Sequence, residues 1–141
     1  MRVVVDTNVL VSGLLTPFGP CAEIIRMVAS AEVTLCFDAR ILAEYREVLA
    51  RPRFRFSQER VAALLEQIER RGVPVAASPL KQPLPDPDDE PFLTVAHDGP
   101  AAFLITGNQI HFPPDYCPGV MVLSPAEFLA VWRENHEFPL P

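Results

Sequence analysis

Val3-Val4-Val5-Asp6-Thr7-Asn8 stands near the start of the chain and Phe103-Leu104-Ile105-Thr106-Gly107-Asn108 near its other end. Each is a short aliphatic run that stops abruptly at polar residues. Apolar runs without polar alternation predict strands buried on both faces, as in a parallel sheet. Between them the apolar period becomes helical. Ile41, Leu42, Tyr45, Val48 and Leu49 form one stripe behind Asp38, which predicts a helix capped by that aspartate and stopped by Pro52. Val61, Leu64, Leu65 and Ile68 mark another helix from Ser57 to Arg71, with Gly72 as its end signal. Further out, helices are expected over 9–15, 21–30 and 91–97, and strands over 33–37, 73–76, 102–106 and 120–123. Ser124-Pro125-Ala126-Glu127 has the form of a capping box and opens a last helix, to about Asn135. Strands alternating with helices predict one α/β domain over residues 1–141. The expected architecture is a three-layer α/β/α sandwich with a mostly parallel central sheet, frayed from about residue 136.

Composition narrows the class. A content of 49% hydrophobic and 21% charged residues fits a soluble globule and excludes a disordered chain. The net charge of −6 argues against a surface wholly devoted to nucleic acid. Cys21, Cys36 and Cys117 lack any disulfide or zinc spacing, so they read as small buried residues of a reducing cytoplasm. Asp6 and Asn8 interrupt the only stretch resembling a signal peptide. No run approaches the ~20 apolar residues of a membrane span. The chain is therefore expected in the cytoplasm, with no membrane partner.

In parallel α/β sheets, ligands sit at the carboxyl ends of the strands. There Asp6 is either a helix cap or a functional carboxylate. Glu44 borders the apolar stripe of its helix, so its carboxylate is either solvated or aimed into a cleft. Asp86-Pro87-Asp88-Asp89-Glu90 crowds acids before a helix, which is unfavourable unless solvent or a cation screens them. Carboxylates from three elements at one sheet edge suit Mg2+ or Mn2+, which polarise a phosphoryl oxygen and acidify an attacking water.

Four stretches in order, VVVDTNVLVSGLL (3–15), LAEYREVL (42–49), DPDDEPFL (86–93) and FLITGNQIHF (103–112), resemble the PIN domain family. Within the family they look most like the branch of toxin components of toxin–antitoxin systems. The resemblance covers residues 2 to about 129 and implies a metal-dependent endoribonuclease. By motif position Asp6, Glu44 and Asp89 take the acidic metal places, with Asp88 the alternative third ligand. Thr106 and Asn108 are expected to position water or the scissile phosphate. Many members carry an aspartate where this chain has Asn108, which offers a carbonyl but no charge. A non-catalytic RNA- or partner-binding module is the alternative. The resemblance also implies an RNA substrate, a cognate antitoxin and a homodimer.

Rival motifs fail on order or content. A haloacid-dehalogenase opening would need an aspartate at Asn8, a receiver domain a lysine after the Thr106 strand, and no Gly-rich phosphate loop exists. His97, His111 and His136 show no ligand spacing and are read as structural. Residues 40–71 hold eight arginines and five glutamates, net +3, which leaves −9 elsewhere. Within them Arg51, Arg53 and Arg55 alternate with Pro52, Phe54 and Phe56. That pattern is either an RNA-binding arm with stacking rings or a proline-broken connection.

Overall fold

Val3, Val4 and Val5 are wholly buried because β1 (Arg2–Val5) lies at the centre of the sheet. This computed structural model describes residues 1–80, 83–116 and 118–136. Cys117 and the tail 137–141, with the readings made on them, lie outside the described residues. Five parallel strands run in the order β3-β2-β1-β4-β5, with β2 Thr34–Phe37, β3 Val73–Pro74, β4 Phe103–Ile105 and β5 Val122–Leu123. The outer strands are shorter than their apolar runs suggest, only two residues each. Pro74 is tolerated there because β3 is an edge strand: its nitrogen faces away from β2, and Val75 N–H makes the next bond, to the Phe37 carbonyl at 2.8 Å.

The helices are α1 (Thr7–Leu15), α2 (Pro20–Ala29), α3 (Ala39–Leu49), α4 (Gln58–Arg71), α5 (Glu90–Asp98) and α6 (Pro125–His136). Their starts follow capping chemistry. Asp38 accepts from the Ile41 N–H at 3.0 Å, and Ser57 from that of Arg60 at 3.3 Å. The capping box forms in full: Ser124 Oγ accepts from Glu127 N–H at 3.1 Å, and Glu127 Oε1 accepts from Ser124 N–H at 2.9 Å. α1 and α2 pack together but bend by 101° at the break between them. Among the described residues no single helix is long and apolar enough to cross a membrane.

α5 lies against β1, β2 and β4, while α2 packs on α4 and α6, α4 on β2 and α6 on β5. The result is the expected three-layer α/β/α sandwich. Tyr45 and Phe92, both fully buried, join α3 to α5 with ring centroids 6.4 Å apart. The Tyr45 hydroxyl donates to the Val5 carbonyl at the end of β1. That buried hydrogen bond fixes α3 beside the strand end that carries Asp6. Cys21 and Cys36 are free thiols, half-buried and buried.

Candidate active site

From β1 the chain crosses one way to β2 and β3, and the return to β4 lands on the other side of β1. β1 and β4 thus form the switch point, where parallel sheets place their ligand crevice. Val5 pairs with Ile105, so Asp6 and Thr106 leave the sheet side by side.

Asp6 occupies the position before α1, yet its carboxylate makes no capping hydrogen bond. Oδ2 instead accepts from Thr106 Oγ1 at 2.8 Å and from Asn8 Nδ2 at 3.2 Å. A helix cap alone therefore does not explain it. Asp6 is 6% exposed, and burial raises its pKa above the usual carboxylate range. The Thr106 hydroxyl opposes this most, followed by the N–H groups of Asn8 and Thr7, which face the carboxylate without a well-formed capping bond, and by His111.

Thr106 is fully buried, and its hydroxyl also accepts from the Asn108 N–H at 3.0 Å. Thr106, expected to position water or the scissile phosphate, is here seen holding Asp6 with its hydroxyl inside the fold. Asn8, which the motif reading left without a role, accepts from the Gly107 N–H at 3.2 Å through Oδ1. It ties both strand ends to the same carboxylate.

Glu44 lies half-buried at the stripe border, as its helical phase predicts, and Oε2 accepts from Thr7 Oγ1. Burial raises its pKa first, with Asp6, Asp88 and Glu47 adding to the rise and the Thr7 bond opposing it.

The doubled aspartate is resolved by a turn. Asp86 accepts from the Asp88 N–H at 2.9 Å, which sets a tight turn over Pro87–Asp89 just before α5. This leaves Asp88 exposed on the rim and turns Asp89 inward, 9% exposed. Burial, then Asp6, push the Asp89 carboxyl up to about 6, against the pull of His111. Its buried Oδ2 has no hydrogen-bond partner. His111 Nδ1 approaches that oxygen to 3.2 Å without the alignment of a hydrogen bond, and His111 Nε2 lies 3.0 Å from Asn108 Nδ2. His111 is therefore not merely structural, as its spacing suggested, but part of the acidic edge. His97, paired with Asp98, and His136, stacked on Trp132, lie elsewhere.

Among the described residues no lysine or arginine pairs with Asp6, Glu44 or Asp89. Nor is any group of three or more His, Cys, Asp or Glu side chains there placed to hold an ion as the side chains stand. What the edge offers is two buried carboxylates, a third half-buried, and an orphaned oxygen. Such a partial, oxygen-rich set suits Mg2+ or Mn2+, which bind through one or two carboxylates and keep waters. The residues present fit the group.

Among the described residues the arginine arm makes no ion pair with these carboxylates, although Glu44 acts electrostatically on Arg51. Arg51 pairs with Glu47 at 2.9 Å, the Arg53 guanidinium lies 4.8 Å over the Phe54 ring, and Phe54 stacks on Phe56 at 5.3 Å. Arg55 takes the left-handed conformation at φ 54°. With Leu14, Leu15 and Arg60 this segment lines a cavity of about 200 Å3. It begins beyond α3, whose last five residues, about 8 Å of helix, already separate it from Glu44.

No curated protein and no solved structure matches the chain. Residues 2–110 do match the family model of the PIN domain. PIN domains are in general nucleases and typically use divalent metal ions. Because the match runs from β1 through the turn after β4, it takes in both strand ends at the switch point and every acidic position gathered there: the chain belongs to the PIN domain family.

Proposed function

We propose that the protein is a Mg2+- or Mn2+-dependent endoribonuclease that hydrolyses RNA phosphodiester bonds, the toxin of a toxin–antitoxin pair. The observation that carries this reading is Asp89 Oδ2, buried beside Asp6 without a partner while its carboxyl is pushed up to about 6. Folding alone gains nothing from that arrangement, and a cation would satisfy it.

Asp6 and Asp89 would hold the ion. When bound, it supplies positive charge at the phosphate and a more acidic water. Thr106 and Asn8 aim Asp6 through two hydrogen bonds. Glu44, anchored through Oε2 by Thr7, keeps Oε1 either as a second ligand or as the acceptor of a proton from the attacking water. Its raised pKa makes it the stronger base. Asn108 adds a neutral amide at the rim.

On the same reading the RNA backbone is tracked by Arg51, Arg53 and Arg55, with Phe54 and Phe56 as stacking faces. A cognate antitoxin would quiet the site by inserting an arginine among its unpaired carboxylates. The family resemblance further supports a homodimer acting in the cytoplasm.

The test is RNA cleavage by the wild type, Asp6→Ala and Asp89→Asn, each with Mn2+ and with chelator. Cleavage by the wild type with metal alone is expected. Equal cleavage in all samples, or cleavage in chelator, would sink the reading. RNA binding without cleavage at any metal concentration would favour a non-catalytic binding module.

A further inference from the structure

We propose that His111 is a metal ligand through Nδ1, oriented by Asn108, so that the centre is a mixed nitrogen–oxygen site. The inference rests on the metal reading above and adds a donor of a different chemical class.

Three observations carry it. The first is spacing. His111 Nδ1 lies 3.2 Å from Asp89 Oδ2, a buried oxygen with no hydrogen bond. Two ligand atoms at right angles around an ion, each about 2.1 Å from it, stand about 3.0 Å apart. The pair is thus spaced as neighbouring ligands would be, with no aligned hydrogen bond between them.

The second is the other ring nitrogen. A metal-bound histidine generally donates its remaining N–H to an acceptor, which fixes the ring. Nε2 has the Asn108 amide at 3.0 Å. With the Nδ2 end toward the ring, Nε2 accepts and the proton sits on Nδ1, facing the Asp89 carboxylate. Rotating the amide by half a turn presents Oδ1, which takes the Nε2–H and leaves the Nδ1 lone pair free for a cation. An asparagine serves both states, whereas an ionised aspartate serves only the second.

The third is support. Asn108 and His111 are joined across one tight turn, the His111 N–H donating to the Asn108 carbonyl at 3.1 Å. The next residue, Phe112, is 2% exposed and anchors the turn in the core. The His111 side chain is 41% exposed, so solvent ions reach it.

An imidazole ligand shifts preference from Mg2+, which takes oxygen donors, toward Mn2+ and the later divalent metals. The test uses the whole chain loaded with Mn2+. Electron spin echo modulation from a directly bound 14N is expected in the wild type and in Asn108→Asp, and absent in His111→Gln. By calorimetry, His111→Gln is expected to lose about 10-fold or more in Mn2+ affinity and little in Mg2+ affinity. Mn2+ bound without nitrogen modulation, or with affinity unchanged in His111→Gln, would overturn the assignment alone. A wild-type chain that binds neither ion would overturn the metal reading and this assignment together.

Discussion

Asp89→Asn is expected to stabilise the metal-free protein at alkaline pH and to abolish its response to Mn2+. Burial and the neighbouring Asp6 push the Asp89 carboxyl from 3.8 up to about 6. At about 1.4 kcal/mol per pH unit that shift has a ceiling of ~3 kcal/mol. The group lies at the open edge of the sheet next to exposed Asp88, and solvent screening reduces the figure to about 1 kcal/mol. The folded value lies above the unfolded one. The group's stabilisation is therefore complete below about pH 4 and is lost as pH rises through about 6. At pH 8 the wild type bears the whole cost and the amide bears none, while near pH 4 the two proteins differ little. An unfolding entropy of about 2.1 cal/mol/K per residue makes 1 kcal/mol worth about 3 °C for a chain of 141 residues. Mn2+ at about 100 times its Kd adds about 2.7 kcal/mol, near 9 °C, to the wild type alone. Scanning calorimetry at pH 4, 6 and 8, with chelator and with Mn2+, measures both effects. A variant melting below the wild type at pH 8 in chelator would make Asp89 a structural acceptor and refute the repulsion argument. An equal Mn2+ shift in both proteins would remove Asp89 from the ion.

Tyr45→Phe removes the buried donor to the Val5 carbonyl and is expected to cost about 1–3 kcal/mol, read as a lower urea midpoint at unchanged slope. Thr106→Val keeps the shape of a fully buried residue but withdraws the hydroxyl from Asp6, whose pKa then rises further. Weaker Mn2+ binding with an unaltered near-ultraviolet dichroism spectrum is the expected signature. Under the ribonuclease reading, replacing Arg53 and Arg55 by alanine weakens RNA binding and flattens its salt dependence by roughly one unit of slope for each phosphate no longer neutralised. An unchanged slope would mark the arm as a connection only.

The two ends of the switch point were legible because β1 and β4 are central: burial on both faces leaves a continuous apolar run, and whatever breaks it stands at the edge. The same logic located α3, α4 and the capping box before α6, all of which rest on contacts within four residues. The outer strands are shorter than their sequence suggests because β3 and β5 pair on one side only, and apolar residues beyond the pairing still pack without extending it. The acids gathered at the sheet edge were legible in the sequence, but their supports were not. Asn8 meets Gly107 across 99 positions of sequence, a contact no periodicity announces. Asp88 and Asp89 are indistinguishable as letters, and it is the Asp86 bond to the Asp88 N–H that decides which one turns inward. His111 has no partner at ligand spacing along the chain, because its neighbour Asp89 arrives from another element.

The separation of acid and base along α3 also explains why a net charge of −6 does not argue against the proposed substrate. Phosphate approaching Asp6, Glu44 and Asp89 meets repulsion, and the arginine arm starts more than about 8 Å of helix away from Glu44. Arg53 and Arg55 can attract an RNA backbone to the molecule, but among the described residues neither pairs with the three carboxylates. Arg51 contributes less still, being paired with Glu47. With no lysine or arginine bound to the three carboxylates among the described residues, a cation added there would reverse the local charge. A divalent ion does this at the edge itself, and an arginine from a partner chain would do it without supplying an activated water. Under the proposed function the same shortage of positive charge would serve both a cofactor that permits hydrolysis and an inhibitor that prevents it, and competition between Mn2+ and an arginine-bearing peptide for the edge is the expected outcome.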